Sequence, residues 1–255
     1  MRTLATMLTI LVVTPFLGTM VIVASYLGVK RRPGSLLYKA PRWWADATLH
    51  AAGVRVVLHG AEQLADGKPR VFVCNHVSWF DVLALASSLP TYSFVAKSEI
   101  FRVPIFGRGA LAVGTIPIER ENRKSAFESY KVAAERIREG ASVVVYPEGT
   151  RGKSYALRPF KKGPFVLAVA AGVPVVPTIV HGSIEVLPRN SLRLHTGREI
   201  HVHLLEPVSA AGLRYEDRDR LMRAVYQRMA DGLRRLYGVE SPPLPSPPAE
   251  QAMTA

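Results

Sequence analysis

The longest apolar segment of the chain lies at its N-terminus. Residues 4–29 contain no charged side chain, and Lys30, Arg31 and Arg32 follow directly. As a helix, this segment would be roughly 39 Å long, which exceeds the ~30 Å hydrocarbon layer of a bilayer. A cleaved signal peptide usually has a shorter apolar region of about 7–15 residues, so we interpret the segment as a retained membrane anchor. Because the heavier basic flank is C-terminal to it, we expect the rest of the chain in the cytoplasm.

A second segment extends the predicted anchor to residues 1–50. It contains Trp43 and Trp44, and tryptophan is common at the headgroup level of membranes. Pro15 lies inside the first segment and is a position where a helix can kink. The anchor therefore either spans the bilayer or enters it and returns as a pair of helices, and the sequence leaves both alternatives open.

Short β-branched runs alternate with helical patterns over residues 51–240, which we predict to be one catalytic domain. The predicted strands are 54–58, 71–74, 141–146, 173–180 and 198–205, and the predicted helices are 81–88, 123–139, 164–171 and 214–237. Such alternation is typical of an α/β fold with a mostly parallel sheet flanked by helices. The Pro-rich remainder, residues 241–255, is predicted to be a disordered tail.

The composition narrows the choice of partners. With 33 Lys and Arg against 20 Asp and Glu, the formal net charge is +13, which favours phosphate groups, an acidic membrane surface or nucleic acid as partners. The single cysteine, Cys74, excludes an intrachain disulfide. His201 and His203 lie two residues apart on a predicted strand, but such a pair is more often a polar strand face than a metal site. We therefore predict no metal site.

The first candidate for chemistry follows the strand at 71–74 and reads Asn-His-Val-Ser-Trp-Phe-Asp over residues 75–81. On one continuous helix, His76 and Asp81 would point about 140° apart, so they can meet only if His76 lies in the loop and Asp81 in the first helical turn. Ser78 fits the cap of that helix. A neutral imidazole held by a carboxylate is a suitable general base, although Asp81 could also serve only to stabilise the helix start.

The second candidate, Pro-Glu-Gly-Thr-Arg at residues 147–151, follows the strand at 141–146. Strand ends are where ligands bind in α/β sheets, and the planar guanidinium of Arg151 can bind two oxygens of a phosphate.

Two other motifs overlap the block at residues 147–151 or follow it directly. Residues 147–154 resemble a nucleotide phosphate loop whose first glycine is a proline, and residues 152–156 resemble a nucleophile elbow. Neither has the strand-to-helix context that its chemistry requires, so we assign neither function.

Together, these blocks resemble the 1-acylglycerol-3-phosphate acyltransferase family of glycerolipid acyltransferases. The His-x4-Asp block of that family is matched by His76 and Asp81, and its Pro-Glu-Gly-Thr-Arg block by residues 147–151. Two further blocks are matched by 114–120 (GTIPIER) and 173–177 (VPVVP), with Glu119 where many members have Asp, and Lys97 and residues 104–107 also fit the pattern. The resemblance covers about residues 55–210 and implies the glycerolipid acyltransferase fold.

The resemblance also implies an activity. Members transfer a fatty acyl group directly from acyl-CoA or acyl carrier protein to the sn-2 hydroxyl of 1-acyl-glycerol-3-phosphate, which gives phosphatidic acid, and they need no cofactor and no metal. On this basis, His76 is the general base, Asp81 orients it, and Lys97 is a candidate to stabilise the oxyanion. The acceptor phosphate is assigned to five residues: Arg120, Glu148, Gly149, Thr150 and Arg151.

Three functions stay open at this point. The first function is acyl transfer to lysophosphatidic acid. The second is acyl transfer to another lysolipid, such as a lyso-ornithine lipid. The third function is that of a membrane lipid-binding protein without catalysis, which the intact His76 and Asp81 argue against. We expect membrane lipids and no nucleic acid as partners, and a location in the inner membrane of a bacterium with the catalytic domain facing the cytoplasm.

Overall fold

The computed structural model describes residues 2–119, 123–191 and 193–245, and only the backbone of residues 123–128. Its helices are α1 (Arg2–Tyr26), α2 (Leu36–Ala52), α3 (Phe80–Ser88), α4 (Phe106–Ala112), α5 (Arg123–Arg138), α6 (Gly163–Ala171), α7 (Ser183–Val186) and α8 (Arg218–Tyr237). Its strands are β1 (Arg55–His59), β2 (Val71–Cys74), β3 (Ser93–Lys97), β4 (Ile116–Ile118), β5 (Val143–Val145), β6 (Val175–His181) and β7 (Glu199–Leu204). Short 3-10 helices lie at Ala61–Leu64, Ser98–Arg102 and Tyr215–Asp217.

The described strands form one sheet in the order β1-β7-β6-β2-β5-β3-β4. Neighbouring strands are parallel except for β6 and β7, so β1 and β7 run opposite to the other five. The predicted α/β fold is confirmed, and the sheet is mixed. The reversal arises between β6 and β7, where the four-residue helix α7 is too short to act as the crossover helix of a parallel connection.

The two faces of the sheet are covered by different helices. Along β2, Val71 and Val73 contribute to an apolar cluster that includes residues of α5, α6 and α8. Phe72 and Cys74 point the other way, into a cluster that includes residues of α2 and α3. This alternation follows from the two-residue period of a strand, and β2 is buried along its whole length because both faces are covered.

Helices α1 and α2 pack against each other as an antiparallel pair. The indole N–H of Trp44 donates a hydrogen bond to Thr14 Oγ1 at 2.9 Å, and the guanidinium of Arg2 contacts Gly53 at the far end of α2. Among the residues that the structure describes, α1 is the one helix long and apolar enough to cross a bilayer. Much of its apolar surface is open, with Leu11 70% and Phe16 67% exposed, which is compatible with membrane association.

Helix α2 also belongs to the core of the predicted catalytic domain. Ala45, Leu49 and Ala52 are buried in the cluster that contains Phe72 and Leu85. The predicted boundary at residue 50 cuts α2, with Ala45 and Leu49 on the anchor side and Ala52 on the domain side. The predicted boundary at residue 50 stays a prediction.

The first five residues of the predicted tail, 241–245, also pack on the domain. Ser241 Oγ accepts a hydrogen bond from the main-chain N–H of Leu157 at 3.0 Å, the carbonyl of Pro242 accepts one from Tyr226, and Leu244 lies against the core. The structure thus packs these five residues on the domain, and the disordered tail stays a prediction. The other predicted tail residues, 246–255, lie outside the described part of the chain.

We expect the full-length protein to stay in the membrane fraction in high salt and to be released by detergent, because burial of α1 is not screened by ions. Placing two lysines on the open face, Leu11→Lys with Phe16→Lys, should shift protein to the soluble fraction, since charge is costly in the hydrocarbon layer. Leu236→Lys, at an exposed leucine of α8, is the matched control. Fractionation followed by immunoblotting checks this. Release of the unchanged protein by salt alone would contradict an embedded α1.

Candidate active site

The two motifs singled out from the sequence meet at one edge of the sheet. Residues 75–79 leave the carboxyl end of β2, and residues 146–152 leave the carboxyl end of β5, its parallel neighbour. The carboxyl ends of neighbouring parallel strands lie side by side, and this is where open α/β sheets bind ligands. The side chain of Asn75 fixes the first loop to β6, because it donates to the carbonyl of Val180 at 2.9 Å and accepts from the N–H of Val180 at 2.8 Å.

The loop after β2 places the imidazole of His76 against the carboxylate of Asp81. His76 Nδ1 lies 2.8 Å from Asp81 Oδ2, with His76 in the loop and Asp81 in the first turn of α3. This is the arrangement that the five-residue spacing required. The imidazole side chain is 15% exposed, whereas the Asp81 side chain is fully buried. The ring also stacks on Tyr146, with centroids 4.1 Å apart.

Hydrogen-bond donors surround the Asp81 carboxylate. Oδ2 accepts from the main-chain N–H groups of Val77 at 2.7 Å and Ser78 at 2.8 Å, in addition to the His76 ring. Oδ1 accepts from the hydroxyl of Ser183, at the start of α7. These hydrogen bonds fix the carboxylate, so that it can hold the imidazole in one orientation.

The capping role predicted for Ser78 takes a different form. Helix α3 begins at Phe80 after Trp79, and the Ser78 hydroxyl accepts from the N–H of Phe80 at 3.3 Å while donating to the carbonyl of Leu187 at 2.9 Å. The Asp81 side chain satisfies the N–H of Ser78 in return. The Ser78 hydroxyl therefore does more than cap α3, because it also joins the loop to the segment after α7.

Glu148 links the two loops. It is 5% exposed, and its Oε1 accepts from the main-chain N–H of His76 at 3.0 Å. A second bond joins the same loops, from the N–H of Gly152 to the carbonyl of His76 at 2.7 Å. Burial raises the pKa of Glu148 to about 7, against the opposing effect of hydrogen bonds from the main-chain N–H groups of His76 and Arg158. The buried Glu148 side chain thus holds the His76 loop in place through its main chain.

Gly149 and Arg151 form the outer part of the second loop. Gly149 has φ +78°, a left-handed conformation that favours glycine. The Arg151 guanidinium lies over the Trp79 ring at 5.1 Å, and the carbonyl of Arg151 accepts from Arg189 Nη1 at 2.7 Å. Burial, followed by the positive charge of Arg189, lowers the pKa of Arg151. The Arg151 guanidinium and the positive charge of Arg189 that acts on it make this a favourable place for an anion.

The other predicted site residues have different surroundings. Lys97 ends β3 and is half-exposed, with its ammonium paired with Glu99. Thr150 is exposed, and its carbonyl accepts from Arg158 at 3.4 Å. Arg120 lies outside the described residues. The roles assigned to all three from the resemblance stay predictions.

Several contributors to the site were not identified from the sequence. Ser183 and Arg189 come from a segment about 100 residues further along the chain than the His76 loop, and neither lies in a quoted motif. Tyr155 holds the turn before α7, because its hydroxyl accepts from the N–H groups of Gly182 at 2.7 Å and Ile184 at 3.1 Å. Only the strand end at His181 could have indicated a third loop at this edge.

The arrangement is suited to general-base chemistry. With Nδ1 held by Asp81, Nε2 of His76 is the nitrogen that can take a proton from a hydroxyl. The two potential nucleophiles nearby are poorly placed for a covalent route. Cys74 is fully buried and burial raises the pKa of its thiol, while the hydroxyl of Ser78 is buried and bonded to Leu187.

The chain is similar to known proteins over this region. A family model described as Acyltransferase matches residues 55–181. The 1-acyl-sn-glycerol-3-phosphate acyltransferase beta of Homo sapiens is 31% identical over 189 residues, covering 73% of this chain and 68% of the human protein. A chloroplast 1-acyl-sn-glycerol-3-phosphate acyltransferase of Brassica napus is 34% identical over 166 residues, covering 65% of this chain and 48% of the plant protein. The chain spans about half the length of the plant relatives that it matches.

The fold is also similar to a solved structure. The crystal structure of the 1-acyl-sn-glycerophosphate acyltransferase PlsC from Thermotoga maritima matches 94% of this chain and 97% of that chain, with a TM-score of 0.74. The two sequences are 24% identical. At that identity, the likeness shows a shared fold.

Proposed function

This chain belongs to the 1-acyl-sn-glycerol-3-phosphate acyltransferase family, and from that premise we propose that it acylates the sn-2 hydroxyl of 1-acyl-glycerol-3-phosphate to give phosphatidic acid. The proposed donor is a fatty acyl thioester, acyl-CoA or acyl carrier protein. The names of the relatives from Homo sapiens and Brassica napus support the acceptor.

The observation that carries the proposal is the hydrogen bond of 2.8 Å between His76 Nδ1 and the buried Asp81 carboxylate. Nε2 of His76 takes the proton of the acceptor hydroxyl as that oxygen attacks the thioester carbonyl. Asp81 keeps the ring oriented and stabilises the imidazolium. As the tetrahedral intermediate collapses, the imidazolium returns the proton to the departing thiolate. Lys97 and main-chain N–H groups near Gly149 are the candidates to stabilise the oxyanion.

The acceptor phosphate binds beside Arg151 in this proposal. A phosphate monoester carries up to two negative charges, and a guanidinium can bind two of its oxygens at once. The nearby positive charge of Arg189, which acts on Arg151, favours an anion over a zwitterionic headgroup. Arg120 is proposed as a further cation from the resemblance alone.

The membrane supplies the acceptor and receives the product. Both are lipids, and the open apolar face of α1 offers a means of holding the domain at their surface. We propose that the site faces the cytoplasm of a bacterium, since Lys30, Arg31 and Arg32 follow α1. The net charge of +13 also favours an anionic membrane surface.

An acceptor panel tests both the activity and the phosphate assignment. With an acyl-CoA donor, the purified protein should acylate lysophosphatidate in preference to lyso-ornithine lipid. Arg151→Ala should lower kcat/KM for lysophosphatidate. The corresponding loss of transition-state stabilisation should be about 1.5–3 kcal/mol, the usual scale for a hydrogen bond to a charged group. Arg151→Lys should recover only part of this loss, because a lysine restores the positive charge but cannot bind two oxygens side by side.

Arg138→Ala, at an exposed arginine of α5, is the matched control and should keep the rate of the unchanged protein. Steady-state kinetics with both acceptors gives the comparison. Equal use of the two acceptors by the unchanged protein would show that the acceptor is wrongly assigned. An Arg151→Ala protein with unchanged kinetics would show that the phosphate binds elsewhere.

A further inference from the structure

Four of the seven histidines of the chain lie on one face of the sheet, on β1, β6 and β7. His201 and His203 point to the α8 side of β7, because the alternate residues Ile200 and Val202 are buried on the α2 and α3 side. The strand register places His59 of β1 directly beside His203 and His181 of β6 directly beside His201. The sequence shows only the pair on β7, and the third and fourth histidines are added by strand pairing.

Three of these histidines are close enough to share one ligand. One ring nitrogen from each of His59, His201 and His203 lies within 4.8 Å of the other two. His59 Nε2 and His201 Nδ1 are 3.1 Å apart. The rings of His59 and His203 are stacked with centroids 4.3 Å apart and planes 7° from parallel, so one of these two rings must turn before both can direct a nitrogen lone pair at the same ion. Two nitrogens bound to a tetrahedral Zn²⁺ at 2.0–2.1 Å would be about 3.3 Å apart, so the closest pair already has nearly that separation.

The outer nitrogens of two of these rings face polar groups, one of them at hydrogen-bond distance. His201 presents Nδ1 to His59, while its Nε2 lies 3.7 Å from a carboxylate oxygen of Glu199. His203 Nε2 lies 2.6 Å from the hydroxyl of Tyr237, which leaves Nδ1 for another ligand. Histidines that bind metals usually engage a carboxylate or another polar group through the second nitrogen, which fixes the ring and its tautomer.

We propose that His59, His201 and His203 form a binding site for one late first-row divalent metal ion, of the class of Zn²⁺, Co²⁺, Ni²⁺ or Cu²⁺. Imidazole nitrogens suit these ions, whereas Mg²⁺ and Ca²⁺ prefer oxygen ligands. His59 is exposed and the other two rings are half-buried, so water can complete the coordination. The ion would join the edge strand β1 to β7. The site stands apart from the catalytic proposal and does not depend on it.

Metal titration of the full-length, tag-free protein in detergent tests the proposal, because a histidine tag would itself bind these ions. After chelator treatment, the protein should take up one Co²⁺ per chain, with visible absorption bands from cobalt bound by nitrogen, and Zn²⁺ should displace it. Mg²⁺ should not compete. Thermal unfolding should shift to higher temperature with Zn²⁺, since an ion that binds only the folded state stabilises it.

His59→Asn and His201→Asn, measured separately, should each weaken Zn²⁺ binding by at least about 10-fold, because loss of a ligand should cost no less than the 10–100-fold seen for loss of an outer partner. His195→Asn, at an exposed histidine outside the cluster, should bind like the unchanged protein. His59 is at the surface, so His59→Asn should keep its metal-free melting temperature and fold. Failure of the unchanged protein to bind one Co²⁺ or Zn²⁺ at micromolar concentrations, or equal binding by His59→Asn, would overturn the proposal.

Discussion

Replacing His76 by alanine is expected to reduce acyl transfer to lysophosphatidate by about 10²–10⁴-fold, the usual contribution of a positioned general base. The acceptor hydroxyl is a weak nucleophile near neutral pH. Alanine has no side-chain nitrogen to replace the imidazole that Asp81 holds at 2.8 Å, so the proton of the hydroxyl would have no base at this position. The backbone bonds of the loop do not involve the ring, because the N–H of His76 binds Glu148 and its carbonyl binds Gly152. The variant should therefore fold.

Initial rates of phosphatidate formation give the comparison, with thermal unfolding and membrane fractionation as checks on folding. His195→Ala is the matched control, because that histidine is exposed and lies outside the site. A His76→Ala protein that melts normally and transfers acyl groups at the full rate would refute general-base catalysis by this residue. Unchanged KM with a reduced kcat is the pattern expected if His76 acts mainly in the transition state.

Asp81→Asn is expected to lose both rate and stability. The rate should fall by up to about 10⁴-fold, as when an asparagine favours the wrong imidazole tautomer in a catalytic triad. The free energy of unfolding should fall by about 1–3 kcal/mol, because an amide nitrogen would face N–H donors inside the protein. Val77, Ser78 and Ser183 all donate to this carboxylate, so the loop should loosen as well.

Ser183→Ala separates the two effects. It removes the donor to Oδ1 but leaves the contact between Oδ2 and His76, so it should lower stability with a much smaller loss of rate. Chemical denaturation and steady-state kinetics on both variants give the two quantities. If Ser183→Ala and Asp81→Asn lost rate in proportion to stability alone, Asp81 would be a structural residue and not the group that orients the base.

The central part of the fold could be predicted because its sequence patterns are local. The run at 71–74 is β2 and the pattern at 164–171 is α6 within one residue. Strands β3 and β4 were missed. Ser93–Lys97 ends in a charged residue, and Ile116–Ile118 is only three residues long with a central proline. Helix α4 has glycines at positions 107 and 109, which weaken a helical pattern, and its packing against α1 compensates for this.

The site could be predicted as far as each motif is contiguous. The His-x4-Asp block gave the pairing of His76 and Asp81 because the two residues share one loop and helix start. Ser183 and Arg189 could not be predicted, since contact between them and the first two loops depends on the turn after β6. The histidine cluster was missed for a similar reason, because His59 reaches His203 only through the pairing of β1 with β7.

The two hydrogen bonds that join the peptide of His76 to the loop at 146–152 have a consequence for regiochemistry. They connect His76 and Arg151 through the Glu148 side chain and the backbone of Gly152, so the two residues cannot separate freely. On the proposed function, this frame of two hydrogen-bonded loops fixes the distance between the bound phosphate and the hydroxyl that is deprotonated. A positional isomer of the acceptor would present its hydroxyl at the wrong distance from Nε2. Discrimination between isomers would then follow from the stiffness of the frame, without a side chain that contacts the glycerol carbons.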